Sequence, residues 1–384
     1  MIPYGRQSIS EADISAVVAV LRSDFLTQGP AVERFERALA QACDAPHAVA
    51  VANATAGLHL ACLALGLGPG DALWTSPNTF LASANCGRYC GAEVDFVDID
   101  PRTYNLDVTA LAKKLAATPA ARRPKVVVPV HFAGQAPDLV GLARLAREYG
   151  FRVIEDASHA VGARYQGQPV GCGEHSDFTI FSFHPVKIIT TGEGGAILTR
   201  NPELAARVAR LRSHGMVRDP AAMTEPTHGP WYYQQQELGW NYRLTDLQAA
   251  LGASQLERLG TFVQRRRQLA ERYGRLLAPL PVELPWQHPD TESAFHLYVI
   301  RLQLGRIRRT HRQVFEELRA QGIGVQLHYI PVHLQPYYRD RGFQSGDFPV
   351  AEAYYQEAIS LPLYADLTDA QQDQVVAVLS GILS

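Results

Sequence analysis

Residues Lys125–Ala160 read KVVVPVHFAGQAPDLVGLARLAREYGFRVIEDASHA. A β-branched run at Lys125–Val130 predicts a strand. The apolar spacing over Leu139–Tyr149 predicts a helix, and Arg152–Ile154 a second strand. Such a unit has to cross over a sheet, so its two strands run parallel. The same alternation extends outward. Upstream lie strands at His47–Ala52, Ala72–Thr75 and Val94–Val97, with helices at Thr55–Leu65 and Ala82–Tyr89. Downstream lie strands at Phe178–Phe183 and Ala196–Thr199. Seven strands interleaved with helices imply an α/β domain with a mostly parallel sheet covered on both faces.

Two helices precede this array. Ser10 with Asp13 three residues later reads as a capping box, and Pro30 opens a second helix with Val32, Phe35 and Leu39 on its buried face. Beyond Asn201 the pattern changes. Helices are expected over Pro202–Ser213, Thr245–Leu256 and Phe262–Leu277, then strands at Leu297–Leu302 and Val325–His328. The expected division is a large domain over residues 1–254 and a small α+β domain over 255–384, with the first dozen residues packed near the large domain's ligand edge. Arg218–Gly239, rich in Pro, Gly, Tyr and Gln, reads as a long functional loop.

The 384 residues carry 36 Lys and Arg against 38 Asp and Glu, a net charge of −2. That balance argues against nucleic acid or an anionic membrane as the main partner. No apolar run is long enough to span a bilayer. MIPYGRQSISEADIS has no charged-then-apolar signal pattern, so cytoplasmic residence is expected. Five scattered cysteines argue against a disulfide framework. Cys86 and Cys90 could pair on a metal, but small buried side chains are the plainer reading, and no metal is expected.

The chemistry concentrates at strand ends. Asp156 closes an apolar strand, at the edge where open α/β sheets bind ligands. A carboxylate there can pair with a protonated pyridine nitrogen, or simply cap a helix. Lys187 lies in FSFHPVKIITTGEGG (Phe181–Gly195), an apolar stretch that disfavours an ammonium and suits an amine nucleophile. Alone it could be a surface lysine, but Gly192, Gly194 and Gly195 allow a close backbone approach to a ligand. The turn into the helix at Asn53, Ala54 and Thr55 offers backbone N–H groups to one phosphate. Ser182 is a second phosphate candidate. Neither a dinucleotide fingerprint nor a P-loop occurs. Phe80 could cover a flat ring or sit in the core. His159 could tune such a ring or be a core histidine.

The ordered series NATAGL, PNTF, EDASHA, SFHPVK and TTGEGG resembles the sugar aminotransferases of the DegT/DnrJ/EryC1/StrS family. The resemblance runs from LTQGP at Leu26–Pro30 to ISLPLY at Ile359–Tyr364. It implies a pyridoxal 5′-phosphate (PLP) dependent transferase of fold type I. By it, Lys187 bonds covalently to the cofactor, Asp156 pairs with its ring nitrogen, His159 assists and Phe80 stacks on the ring. Ala54, Thr55 and Ser182 hold the phosphate. Asn241, in GWNYRLTD, reaches the phosphate of a neighbouring subunit, which implies a homodimer with shared sites.

FSFHPVKIITTGEGGA, RSHGM at Arg212–Met216 and VQLHYIPV at Val325–Val332 are similar to the branch of the family that serves pseudaminic acid biosynthesis. That similarity implies a UDP-linked 2-acetamido-4-keto-6-deoxy sugar as acceptor and L-glutamate as donor. Tyr4, Asp24, Phe25, Leu26, Thr27, Asn53, Gln326, Leu327, His328 and Tyr329 are then the substrate contacts. The alternatives are a UDP-4-ketopentose, GDP-4-keto-6-deoxymannose or a dTDP keto sugar. A non-catalytic protein of the same fold, sensing a sugar nucleotide, is the alternative of another class.

Overall fold

The computed structural model describes residues 1–384. Seven strands form the central sheet: β1 (His47–Val51), β2 (Ala72–Thr75), β3 (Glu93–Phe96), β4 (Val126–Val128), β5 (Arg152–Asp156), β6 (Phe178–Ser182) and β7 (Gly195–Thr199). Their order is β1-β7-β6-β5-β4-β2-β3. Neighbours from β6 to β3 pair in parallel, and only β7 runs antiparallel to both of its neighbours. Every residue of β4, β6 and β7 is buried, as expected for strands covered on both faces.

Several strand limits differ from the sequence expectation by a residue or two, and two of them shape the ligand edge. β4 stops at Val128 because Pro129 has no N–H to offer the ladder. β5 continues to Asp156, which pairs with Ile180 and donates its N–H to Pro129 O at 2.9 Å. That extension brings the carboxylate to the ligand edge.

The helices around the sheet are α1 (Glu11–Leu21), α2 (Pro30–Ala42), α3 (Ala54–Ala64), α4 (Ala82–Tyr89), α5 (Val108–Ala117), α6 (Leu139–Tyr149), α7 (Pro202–Leu211), α8 (Asp246–Glu257) and α9 (Leu259–Leu277). The capping box at Ser10 and Asp13 is present. The Asp13 carboxylate also accepts from Ser254 Oγ at 2.6 Å and Gln255 Nε2 at 2.8 Å, which ties α1 to α8.

A second, antiparallel sheet joins β8 (Val282–Glu283), β9 (Tyr298–Leu302) and β10 (Ala358–Leu361). The strand expected at Val325–His328 is absent. Only Gln326 pairs, with Ser360, and the chain then turns so that residues 327–329 line a cavity instead of a ladder. In Arg218–Gly239 regular structure is confined to a three-residue 3-10 turn and a two-residue strand pairing with Met216–Val217. No helix is long and apolar enough to cross a membrane.

α9 belongs to two cores. Phe262 and Val263 pack with the central sheet, whereas Leu269, Ala270, Tyr273 and Leu277 pack with the second sheet. Ile2 packs there too. We propose the domain division near residue 255, with α9 as the shared element.

Arg266, on α9, is 1% exposed. Its Nη1 donates to the carbonyls of Phe295 and His296 at 3.3 Å and of Leu363 at 2.9 Å. One cation thus satisfies three buried acceptors from two further segments. Arg266→Leu should lower stability by about 2–4 kcal/mol, because those acceptors would be left unpaired. Urea unfolding of both proteins measures it, and a loss under about 1 kcal/mol would show that the carbonyls find other partners.

Candidate active site

The connection from β6 to β7 carries the amine. Phe183 O accepts from Thr190 Oγ1 at 2.9 Å and Thr191 N at 3.0 Å, and Phe183 N donates to Gly194 O at 2.9 Å. These bonds close the loop at its base and hold Lys187 at a cavity of about 610 Å³. Burial pushes the Lys187 ammonium down to about 8, opposed in part by the Asp156 carboxylate. Gly195 must be glycine for a steric reason: a Cβ there would stand 2.6 Å from Ala54 N. The close passage sets β7 against the start of α3.

Asp156 is held by hydroxyls. Its Oδ2 accepts from Ser83 Oγ at 2.6 Å, and its Oδ1 from Ser158 Oγ at 2.6 Å and Ser158 N at 3.2 Å. Ser83 is itself paired with Thr79 Oγ1 at 2.6 Å. Hydrogen bonds to an ionised acceptor contribute about 1.5–3 kcal/mol each, so the carboxylate stays oriented although only 5% exposed. Oδ2, with one donor, keeps a lone pair for a further one.

At the other end α3 begins. Asn53 Oδ1 caps it by accepting from Ala56 N at 2.8 Å. Ala54 and Thr55 stand in the first turn, where N–H groups have no intrahelical acceptor, and both line the cavity with Ser182. Phe80 lies at the rim, 57% exposed. A carboxylate for a ring nitrogen, an amine for an aldehyde, a helix start and hydroxyl for a phosphate and an open aromatic face together fit PLP.

The cavity gathers Tyr4, Asn53, Ala54, Thr55, Phe80, Asp156, His159, Ser182, Lys187, Gln326, Leu327, His328 and Tyr329 from the sequence-derived set. It does not gather Asp24, Phe25, Leu26, Thr27 or Asn241. These five are exposed on the surface of the chain. Backbone pairing holds Thr27 to Thr245 and Asn241 to Ser213. Phe25 borders a different hollow of about 960 Å³ between α1, α2 and α8, which has no lysine in its lining. That hollow is larger, but it holds no amine–carboxylate pair.

Sequence reasoning missed several residues here. Ser158 had a usable signal, two residues after an Asp whose carboxylate could take its N–H. Ser83 had none, being 73 positions from Asp156. His296 packs against His159, with ring centroids 4.4 Å apart and the rings tilted by 42°, and joins the lining only through the fold. Burial lowers the pKa of His159, His296 and His328, and the Lys187 charge adds to that in each case. Three imidazoles biased to the neutral form therefore share the cavity with the amine.

The chain is similar to known proteins along its whole length. The model of the DegT/DnrJ/EryC1/StrS aminotransferase family matches residues 7–380. A spore coat polysaccharide biosynthesis protein of Bacillus subtilis is 39% identical over 385 residues, covering 100% of this chain and 97% of the relative. Among solved structures, a Streptococcus pneumoniae protein described as a sugar aminotransferase, in its PMP form, superposes with TM-score 0.91 at 31% identity, covering 100% of this chain and 99% of that one. The same protein has been solved in a PLP form. An aminotransferase involved in pseudaminic acid biosynthesis in Helicobacter pylori superposes with TM-score 0.90 at 29% identity, covering 100% of this chain and 99% of that one. The cofactor is accordingly pyridoxal phosphate, and the chain belongs to the DegT/DnrJ/EryC1/StrS aminotransferase family.

Proposed function

We propose that the chain aminates the C4 ketone of a UDP-linked 2-acetamido-2,6-dideoxy-4-keto-L-hexose, with L-glutamate as amino donor. The observation that carries the amino-transfer half is the Lys187 amine and the hydroxyl-anchored Asp156 carboxylate lining one cavity. The sugar half rests on the family, on the Helicobacter relative and on the resemblance of VQLHYIPV.

PLP, when bound, supplies an electron sink that stabilises negative charge at the carbon losing its proton. The chain supplies the rest. Asp156, held in place by Ser83 and Ser158, would pair with a protonated ring nitrogen. Ala54, Thr55 and Ser182 take the phosphate, and Phe80 covers the open ring face. Lys187, with its pKa lowered by burial, holds and returns the proton that moves between donor or sugar carbon and cofactor. Tyr4 and the segment Gln326–Tyr329 line the part of the cavity left for the sugar.

Asp24–Thr27 and Asn241 lie outside this cavity and are exposed. In our reading a second copy of the chain brings them to its partner's site, so the working unit is a homodimer in the cytoplasm.

Three outcomes follow. PLP capture by apoenzyme requires the free amine, so its rate should rise with pH to a half-maximum near 8. Stopped-flow absorbance reads this, and a midpoint near that of an ordinary lysine, about 10.4, would contradict the lowered pKa. Lys187→Ala should lose the visible cofactor band on dialysis and drop turnover by about 10²–10⁴. Retention of both would remove Lys187 from the chemistry. Finally, in a panel of nucleotide keto sugars with glutamate, the UDP-linked acetamido sugar should give the highest kcat/KM. A preference for a dTDP or GDP sugar would sink the proposed substrate while leaving amino transfer intact.

A further inference from the structure

Ala133 is one of few non-glycine residues with a left-handed backbone, at φ 57°. Such a conformation costs about 1–2 kcal/mol for a residue with a Cβ, so it persists only where its surroundings enforce it. Here it turns the Ala133 N–H onto the Nδ1 of buried His159, at 3.3 Å. A ring nitrogen that accepts cannot carry a proton. His159 is therefore neutral, and its one proton sits on Nε2. Burial and the nearby Lys187 charge favour the same neutral form.

Nε2 faces Tyr329 Oη at 3.0 Å. With the proton on Nε2, the phenolic oxygen is the acceptor of that bond. Its own proton must point elsewhere. The Tyr329 hydroxyl has no other partner within the chain, and the side chain lines the cavity with Lys187. Further contacts limit its freedom: Tyr329 N donates to Asn78 Oδ1 at 3.2 Å, and the preceding carbonyl accepts from Tyr354 Oη at 2.7 Å. Burial raises the phenol's pKa well above its ordinary value, with Asp156 and Tyr4 adding to the effect, so the hydroxyl keeps its proton.

We propose that Tyr329 is a one-way hydrogen-bond donor to the carbonyl oxygen of the acceptor sugar, and that His159 is the positioning residue that makes it one. The contact polarises the carbonyl before the amine attacks, and it requires a hydrogen-bond acceptor at that place. The role assigned to Tyr329 rests on the proposed aminotransferase reading. The tautomer of His159 does not.

The polarity of this chain can be inverted at nearly constant shape. In H159Q the amide oxygen can still accept from Ala133 N–H and the amide nitrogen can still donate to Tyr329. In H159E both oxygens accept, so the Tyr329 proton would be drawn to the glutamate and away from the sugar. With PLP-loaded enzyme, glutamate and the keto sugar, Y329F should lower kcat/KM by about 10²-fold, the scale of losing one such donor. H159E should approach that loss, and H159Q should recover at least tenfold over H159E. Cofactor absorbance and melting temperature, measured alongside, show whether each variant is folded and loaded. Nitrogen-15 NMR of histidine-labelled holoenzyme should show His159 protonated at Nε2 alone near neutral pH.

A folded, loaded Y329F matching the wild type in kcat and KM would overturn the donor role while leaving the aminotransferase reading standing. H159E equal to H159Q, or a proton on Nδ1, would overturn the positioning role. A wild type that takes up PLP but aminates no keto sugar would sink the proposed function and the Tyr329 role together, and the NMR would still decide the tautomer.

Discussion

A carboxylate held almost out of water at the end of a strand is the constraint around which this molecule is arranged. An unpaired buried carboxylate would cost several kcal/mol or pick up a proton. Asp156 is not left unpaired: Ser83, from α4, and Ser158, two residues on, each donate to a different oxygen. Thr79 extends the network by pairing with Ser83. The sheet register that lengthens β5 to Asp156 is thus tied to the placement of α4, and the ligand edge forms where the two meet. Mutual support of this kind is what makes a buried polar group specify one arrangement.

The amine opposite depends on the reversed strand. Because β7 runs antiparallel to β6, the chain between them must fold back at the sheet's ligand edge, and Lys187 sits in that return. Burial lowers the amine's pKa, and the neutral histidines that share its cavity add no charge to shift it in either direction. The carboxylate that opposes this lowering is Asp156. Its pull is outweighed by desolvation, which leaves the lysine close to neutral pH in its titration. A general base is most effective there.

Strand–helix alternation, the Gly-rich turn and the ordered short motifs were legible in the sequence because each rests on local periodicity or on a spacing of a few residues. They were enough for the α/β class and the seven strands, and they singled out Lys187 and Asp156, which line one cavity. Val325–His328 was misread for a physical reason: its pattern suits a strand, but only Gln326 finds a ladder partner. Leu327, His328 and Tyr329 are drawn into the cavity instead. Asp24–Thr27 and Asn241 stand outside the cavity, exposed on the surface of the chain, because short motifs do not say which cavity a loop residue will face.

By itself the sequence determined which groups are present and in what order they reach the ligand edge, because hydrophobic period and turn chemistry act over neighbouring residues. Only the tertiary structure decided how those groups are wired. Ser83 reaches Asp156 across 73 residues, and Tyr329 reaches His159 across 170. The proton on His159 is assigned by a left-handed alanine that no periodicity announces. Hydrogen-bond direction depends on which atoms meet in space, and that is set by packing between distant segments rather than by any local pattern.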